Sequence, residues 1–302
     1  MRTGAATATV IALAMHLSQG VLHPARGETA AAAAATSGAP ACDHRAFRVV
    51  VDVGHTAGKP GAKSARGADE YDFNLRLAKE IAQKLTDAGF ERTVLLITAE
   101  APRAGLFKRA ARANAMSADL FLSVHHDSVP DSFLEKWQYE GAEHTFSDRF
   151  PGHSIFISVD NPQYGRSLAF GKLLGDELKA RGLKYAPHYT EKFMGHRRRV
   201  LVDAEAGVYR YDQLVVLRAT RMPAVLLEAG SIINRNEELE LETPERRSRT
   251  SAAAAAAVES FCALRPRPGR DLLAHPTHPQ HTVGHSVRPA AAVPAGNNVR
   301  HP

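Results

Sequence analysis

Three apolar runs in this 302-residue chain end on side chains that can bind a metal or move a proton. Phe47-Arg-Val-Val-Val-Asp-Val-Gly-His55 delivers an imidazole, Asp119-Leu-Phe-Leu-Ser-Val124 delivers His125, and Ala224-Val-Leu-Leu227 delivers Glu228. Each run is short, rich in β-branched or aliphatic residues and bounded by turn signals. Each therefore reads as a buried strand presenting the residue at its carboxyl end, the edge at which ligands bind in open α/β sheets. Glu70 is a fourth candidate. It heads the stripe Phe73, Leu77, Ile81, whose i, i+3, i+7, i+11 spacing turns one helix face inward. A carboxylate there is costly to bury without a partner, and a cation would supply one; the field of a helix's first turn accounts for it equally well.

Two imidazoles and a carboxylate leave one tetrahedral position open, the pattern of a catalytic zinc site rather than a closed structural one. On this reading His55, Glu70 and His125 hold one Zn2+, and Glu228 is the base that takes a proton from the water the ion acidifies. Either histidine taken alone reads more simply as a satisfied structural residue.

The elements that must position these groups follow in alternation. After the first strand comes a Gly/Lys/Ala loop from Thr56 to Ala68, then a helix from about Glu70 to Ala88 with Asp69 at its N-cap and Gly89 closing it. Strands are expected at 93–98, 119–124, 154–159, 214–218 and 224–227, and helices at 105–116, 164–181 and about 244–263. Residues 129–152 carry no clear period, and 182–212 read as irregular. The alternation predicts an α/β fold, a three-layer sandwich with one mostly parallel or mixed sheet of about six strands flanked by helices.

Composition limits the partners. The formal charge of +6 comes from the ends: the stretch to Gly27 and the tail from Arg265 together hold seven arginines and one aspartate, and between them basic and acidic residues balance. The charge thus gives no reason to expect nucleic acid as a partner. Residues 1–27, with Arg2, an apolar segment and Ala25-Arg-Gly27, read as a signal peptide. The apolar segment is too short for a membrane span, which needs ~20 residues. Residues 28–41 read as a linker, 42–264 as one catalytic domain, and the Pro/His/Arg-rich 265–302 as a disordered tail. An exported protein follows, periplasmic or extracellular, in which Cys42 and Cys262 could pair across the domain.

Several segments together resemble a known family. Val49-Val-Val-Asp-Val-Gly-His55, Glu70-Tyr-Asp-Phe-Asn-Leu75, Lys108-Arg-Ala-Ala-Arg-Ala-Asn114, Leu120-Phe-Leu-Ser-Val-His125 and Pro223-Ala-Val-Leu-Leu-Glu-Ala-Gly230, with Asn234 and Glu237-Glu238 beyond, are similar to the zinc-dependent N-acetylmuramoyl-L-alanine amidases. The resemblance implies His55, Glu70 and His125 as zinc ligands and Glu228 as the catalytic glutamate. It also implies hydrolysis of the amide between N-acetylmuramic acid and L-alanine in peptidoglycan. In some members a segment after the third ligand covers the site until a partner moves it, so an activator protein acting on residues 129–152 is a further expectation; a substrate-shaping loop fits that segment as well.

Departures occur at Thr56-Ala57-Gly58, His126-Asp127 and Ala229-Gly230-Ser231, where the family usually has other residues. They bear on the substrate pocket rather than on the metal site. His126 follows a ligand directly and points the other way along a strand, leaving Asp127 as the better candidate to orient a ligand. The segment Gly58-Lys-Pro-Gly-Ala-Lys-Ser64 lacks phosphate-loop spacing, and no G-x-S-x-G elbow occurs. Two rival readings use the same residues: a zinc peptidase acting on cell-wall peptides, and a peptidoglycan-binding homologue without catalysis.

Overall fold

Strand β1 (Val49–Val53) is buried along its whole length, and its valines alternate between two cores. Val49, Val51 and Val53 face one side of the sheet and Val50 the other, as a period of two requires. Each fully buried valine contributes roughly 1.5–3 kcal/mol, so the strand is fixed in register by its own side chains. The computed structural model describes residues 42–99 and 102–264. The readings of 1–27 as a signal peptide, 28–41 as a linker and 265–302 as a disordered tail lie outside the described residues.

Chain order after β1 is α1 (Glu70–Asp87), β2 (Val94–Leu96), α2 (Pro102–Ala115), β3 (Leu120–Asp127), β4 (Glu135–Tyr139), β5 (Ala142–Phe146), β6 (Ser154–Ile157) and α3 (Tyr164–Ala180). There follow β7 (Val200–Asp203), β8 (Val208–Arg210), α4 (Val215–Arg218), β9 (Ala224–Ser231), α5 (Arg235–Glu242) and α6 (Pro244–Ala263). Seven strands form one mixed sheet in the order β2-β1-β3-β9-β6-β8-β7. Strands β2, β1, β3 and β9 run parallel, while β6 is antiparallel to β9, and β7 to β8. Helices α1, α3 and α6 cover one face, meeting the sheet through Leu77, Ile81, Phe170, Leu174, Ala257 and Phe261. On the other face α2 and α4 supply Ala113, Val216 and Leu217 to a second core with Phe121, Leu226 and Tyr209. The three-layer α/β sandwich holds, with one strand more than expected.

The structure corrects the sequence reading in five places. Residues 214–218, expected as a strand, form the one-turn helix α4, with Leu214 at its N-cap position. Val216 and Leu217 are adjacent and both buried, which suits a helical turn; so short an apolar run carries no period of its own. The stretch 182–212 is not wholly irregular, since it supplies β7 and β8 at the sheet's edge. Residues 129–152 contain the separate hairpin β4–β5, turned at Glu140-Gly141, both with positive φ. The short polar α5 is set by Asn234, whose side-chain oxygen accepts from the N–H groups of Asn236 and Glu237. Asp69 occupies the N-cap position of α1 but pairs with Lys63 Nζ at 2.6 Å instead of capping the helix.

Cys42 and Cys262 form a disulfide, with Cα atoms 5.2 Å apart and a sequence separation of 220. It joins the segment entering β1 to the end of α6. In the chain-entropy account so long a closed loop stabilises by about 5 kcal/mol, with observed losses on removal of roughly 2–5 kcal/mol. Reducing agent, or Cys262→Ser, should therefore lower the unfolding free energy obtained from urea titration by an amount in that range; an unchanged free energy would contradict the bond's contribution.

Candidate metal centre

β1 and β3 pair in parallel with Val53 opposite Val124, so Gly54 and His125 end side by side, and Gly54 N–H donates to Val124 O at 2.9 Å. His55, one residue further, turns away from the strand with φ +65°, an uncommon conformation for a non-glycine residue. The following loop folds back on α1: Thr56 and Lys59 exchange backbone hydrogen bonds, Glu70 N–H donates to Ala62 O, and Tyr71 N–H to Pro60 O. The first turn of α1 is thereby set against the strand ends.

Glu70 lies between the two imidazoles. Its Oε2 is 2.9 Å from His55 Nε2, and its Oε1 is 3.1 Å from His125 Nδ1. Ala62 N–H and Asn74 Nδ2 donate to the same carboxylate, at 3.1 and 3.0 Å. Burial opposes its charge, but the hydrogen bonds and charges of His125 and His55 outweigh that and hold its pKa well below the ordinary carboxylate value. The two rings are 4.9 Å apart, and one donor atom from each of His55, Glu70 and His125 lies within 4.8 Å of the others.

Glu228 is the register partner of His125 on the neighbouring strand β9, so the two side chains share a face. The residue keeps some exposed surface, yet its Oε2 is sealed from solvent and has no hydrogen-bond partner among the described residues. Burial, then the charges of Asp127 and Glu70, push its pKa well above the usual carboxylate range. A cavity of about 180 Å³ opens beside His55 and His125, walled by Thr56, Lys59, Leu106 and Val216.

The donor set fits a divalent cation. Two nitrogens and a carboxylate converge, an unpartnered carboxylate oxygen belongs to the adjacent strand, and two glycines leave the room. A Cβ at Gly54 would come within 2.6 Å of the His125 ring, and one at Gly61 would collide with Glu70 Oε2.

His126 lies on the other face, where its Nδ1 meets Asn74 Oδ1 at 2.8 Å and its ring packs on Phe73. Burial lowers its pKa to about 3, which leaves a neutral ring outside the converging group. Asp127, expected to orient a ligand, instead accepts from Tyr189 Oη at 2.9 and 2.8 Å and from Ser128 N–H; its contacts are not with an imidazole. Burial pushes it up to about 7. Asn234, Glu237 and Glu238 hold loops: Glu237 Oε2 accepts from Gly152 and Ser231, while Glu238 binds Arg66 in the loop between His55 and Glu70.

Sequence reasoning missed two groups here. Tyr189 comes from a segment without a pattern. Arg109 on α2 stood inside a recognised motif, but its spacing gave no sign that it reaches the first strand; it donates to Val53 O, His55 O and Asp52.

These features define an α/β protein with a two-histidine, one-carboxylate centre at the carboxyl edge of a mixed sheet. A family model described as N-acetylmuramoyl-L-alanine amidase matches residues 49–260, and the chain belongs to that family. It is 31% identical over 189 residues to the endolysin of Bacillus phage SPP1, a match covering 63% of this chain and 56% of that protein. With the N-acetylmuramoyl-L-alanine amidase AmiC of Neisseria meningitidis it shares 25% identity over 238 residues, covering 70% of this chain and 52% of that one. The chain spans about half the length of these two relatives. Among solved structures, the amidase Ami1 of Mycobacterium smegmatis shares the fold with a TM-score of 0.57 at 20% identity, covering 74% of this chain and 99% of that one.

The glycine at 54 generates a direct test. Gly54→Ala should push His125 out of the cluster and weaken divalent-metal binding by about tenfold or more, roughly 1.4 kcal/mol, with circular dichroism unchanged. Isothermal titration with zinc reads it; equal affinity would mean that the ring tolerates the methyl group.

Proposed function

We propose that residues 42–264 form a zinc-dependent N-acetylmuramoyl-L-alanine amidase domain that hydrolyses the amide between N-acetylmuramic acid and L-alanine in peptidoglycan. His55, Glu70 and His125 would hold the ion, and Glu228 would be the catalytic glutamate. The observation that carries the reading is the position of Glu228: a carboxylate oxygen without a partner, on the strand beside His125, next to three converging donors. Family membership supplies the substrate class.

A zinc ion bound there supplies Lewis-acid chemistry, polarising a carbonyl and acidifying water toward a pKa of about 7. The chain's own residues do the rest. Glu70, kept ionised by His125 and His55, sets both imidazoles with their donor nitrogens inward. Glu228, a carboxylate made more basic by burial and by its acidic neighbours, takes the proton of the attacking water and returns it to the leaving amine of L-alanine. The cavity beside His55 gives the scissile group a wall of Leu106 and Val216 that limits water. Such a substrate lies outside the cytoplasmic membrane, which fits an exported protein.

The hairpin β4–β5 is the segment on which we propose that an activator acts. It docks on the loop carrying the metal-centre residues: Trp137 Nε1–H donates to Ala65 O at 2.9 Å, and the Arg66 guanidinium lies 5.4 Å from the Trp137 ring. Moving the hairpin would therefore move the chain between His55 and Glu70. One solved relative in fold, the CwlD amidase of Clostridioides difficile, has been captured with the GerS lipoprotein.

Glu228→Gln should keep zinc bound at one ion per chain while the release of stem peptides from purified peptidoglycan falls by about 10²-fold or more. Retained turnover removes Glu228 from the role, and products cut between two amino acids would favour a peptidase. Trp137→Ala should raise the basal rate severalfold if the hairpin restrains the site; a lower rate would make the hairpin a support for substrate.

A further inference from the structure

His55 occupies the left-handed region with φ +65°. A non-glycine residue stays there only where its surroundings over-determine it. Its own neighbourhood does not: Gly54 before it is the most permissive residue type, and the turn from Thr56 to Lys59 closes on itself without touching the His55 carbonyl. The constraint comes from α2, on the face of the sheet that His125 and Glu228 share. Arg109, carried by α2 and only 3% exposed, spreads its guanidinium under this bend. One terminal nitrogen donates to Val53 O at 2.6 Å, and the other donates to His55 O. The carbonyls on both sides of Gly54 are thus held by one rigid fork.

The fork is itself anchored. The nitrogen that meets Val53 also lies 3.3 and 3.4 Å from the two oxygens of Asp52, which is fully buried within β1. Ser123 on β3 donates to Asp52 Oδ2 at 2.8 Å. Asp52 and Ser123 belong to paired strands, so the guanidinium is referenced to the same two strands that deliver His55 and His125. A lysine in its place would keep the charge for Asp52 but, as a point donor on a flexible stem, could not span the two carbonyls in one plane.

We propose that Arg109 is a positioning residue for the metal centre, fixing the bend at His55 so that its Nε2 stays beside Glu70 and His125. The proposal rests on the reading of His55 as a metal ligand and adds the device that pre-sets it. With the fork intact the ligand set is built before the ion arrives; without it, the His55 carbonyl can relax and carry the imidazole out of the cluster.

The test uses the full chain with Arg109→Lys. Zinc affinity is measured by competition with a chromophoric chelator, the ligand field by the visible absorption of the cobalt(II)-loaded protein, and stability by melting of the metal-free protein. Arg109→Lys should bind zinc 10- to 100-fold more weakly, the scale of lost support to a ligand. The cobalt band should weaken while the metal-free melting temperature stays within a few degrees of the parent. A merely structural role would lower the melting temperature and leave affinity and spectrum alone, and that result overturns the proposal. Should Arg109→Lys not fold, the double variant Asp52→Asn/Arg109→Met, which leaves no buried charge unpaired, is read in the same way. Failure of both to fold assigns Arg109 to the stability of the sheet edge and overturns the proposal as well. Absence of zinc binding in the parent protein would sink the metal-centre reading itself, an outcome separate from parent-like affinity in Arg109→Lys.

Discussion

The structure depends on a single buried carboxylate having enough partners. Glu70 is 4% exposed, and an ion taken so far out of water costs several kcal/mol unless neighbours compensate. Four donors from separate parts of the chain do so: His55 after β1, Ala62 in the connecting loop, Asn74 one turn along α1, and His125 on β3. None of the four can shift without uncovering the charge. The fold of the loop, the entry of α1 at the strand ends and the pairing of β1 with β3 are all answerable to that requirement. A slip of one residue in that pairing would send every side chain of the shifted strand to the other face.

The same alternation divides labour across the sheet. His125 and Glu228 look to the α2 face, while His126 looks to α1 and is joined to Glu70 through Asn74, which donates to the carboxylate and receives the ring. At position 126 this chain has an imidazole that burial keeps neutral. The extra ring extends the hydrogen-bonded support of Glu70 without adding a ligand. Asp127 and Tyr189 form another pair close by, which draws the Asp127 carboxylate toward the phenol, while Glu228 Oε2 has no hydrogen-bond partner among the described residues.

How much of this was legible in the sequence follows from the range of the interactions. Strands β1, β3 and β9 announce themselves because several consecutive apolar residues are buried on both faces, and α1 because its stripe runs through Phe73, Leu77 and Ile81. Candidate site residues were readable since they sit where those runs stop. The apolar run before Arg218 was misread because a single turn and a short strand leave the same mark, and only packing against α2 decides. The hairpin escaped because Trp137 and Tyr139 bury one face against Arg66 and Arg235, contacts made with distant parts of the chain. Arg109 escaped for the same reason: a helix arginine reads as solvated until Asp52, in the middle of a valine run, is seen to need it.

One bond gives the folded body an unusual topology. Because Cys42 and Cys262 are linked, everything from the approach to β1 to the end of α6 is a closed covalent ring. A protease that clips any loop within it, the exposed tip at Glu140-Gly141 included, yields a two-fragment molecule that stays one particle. Only a second cut, or a reductant, would release a piece.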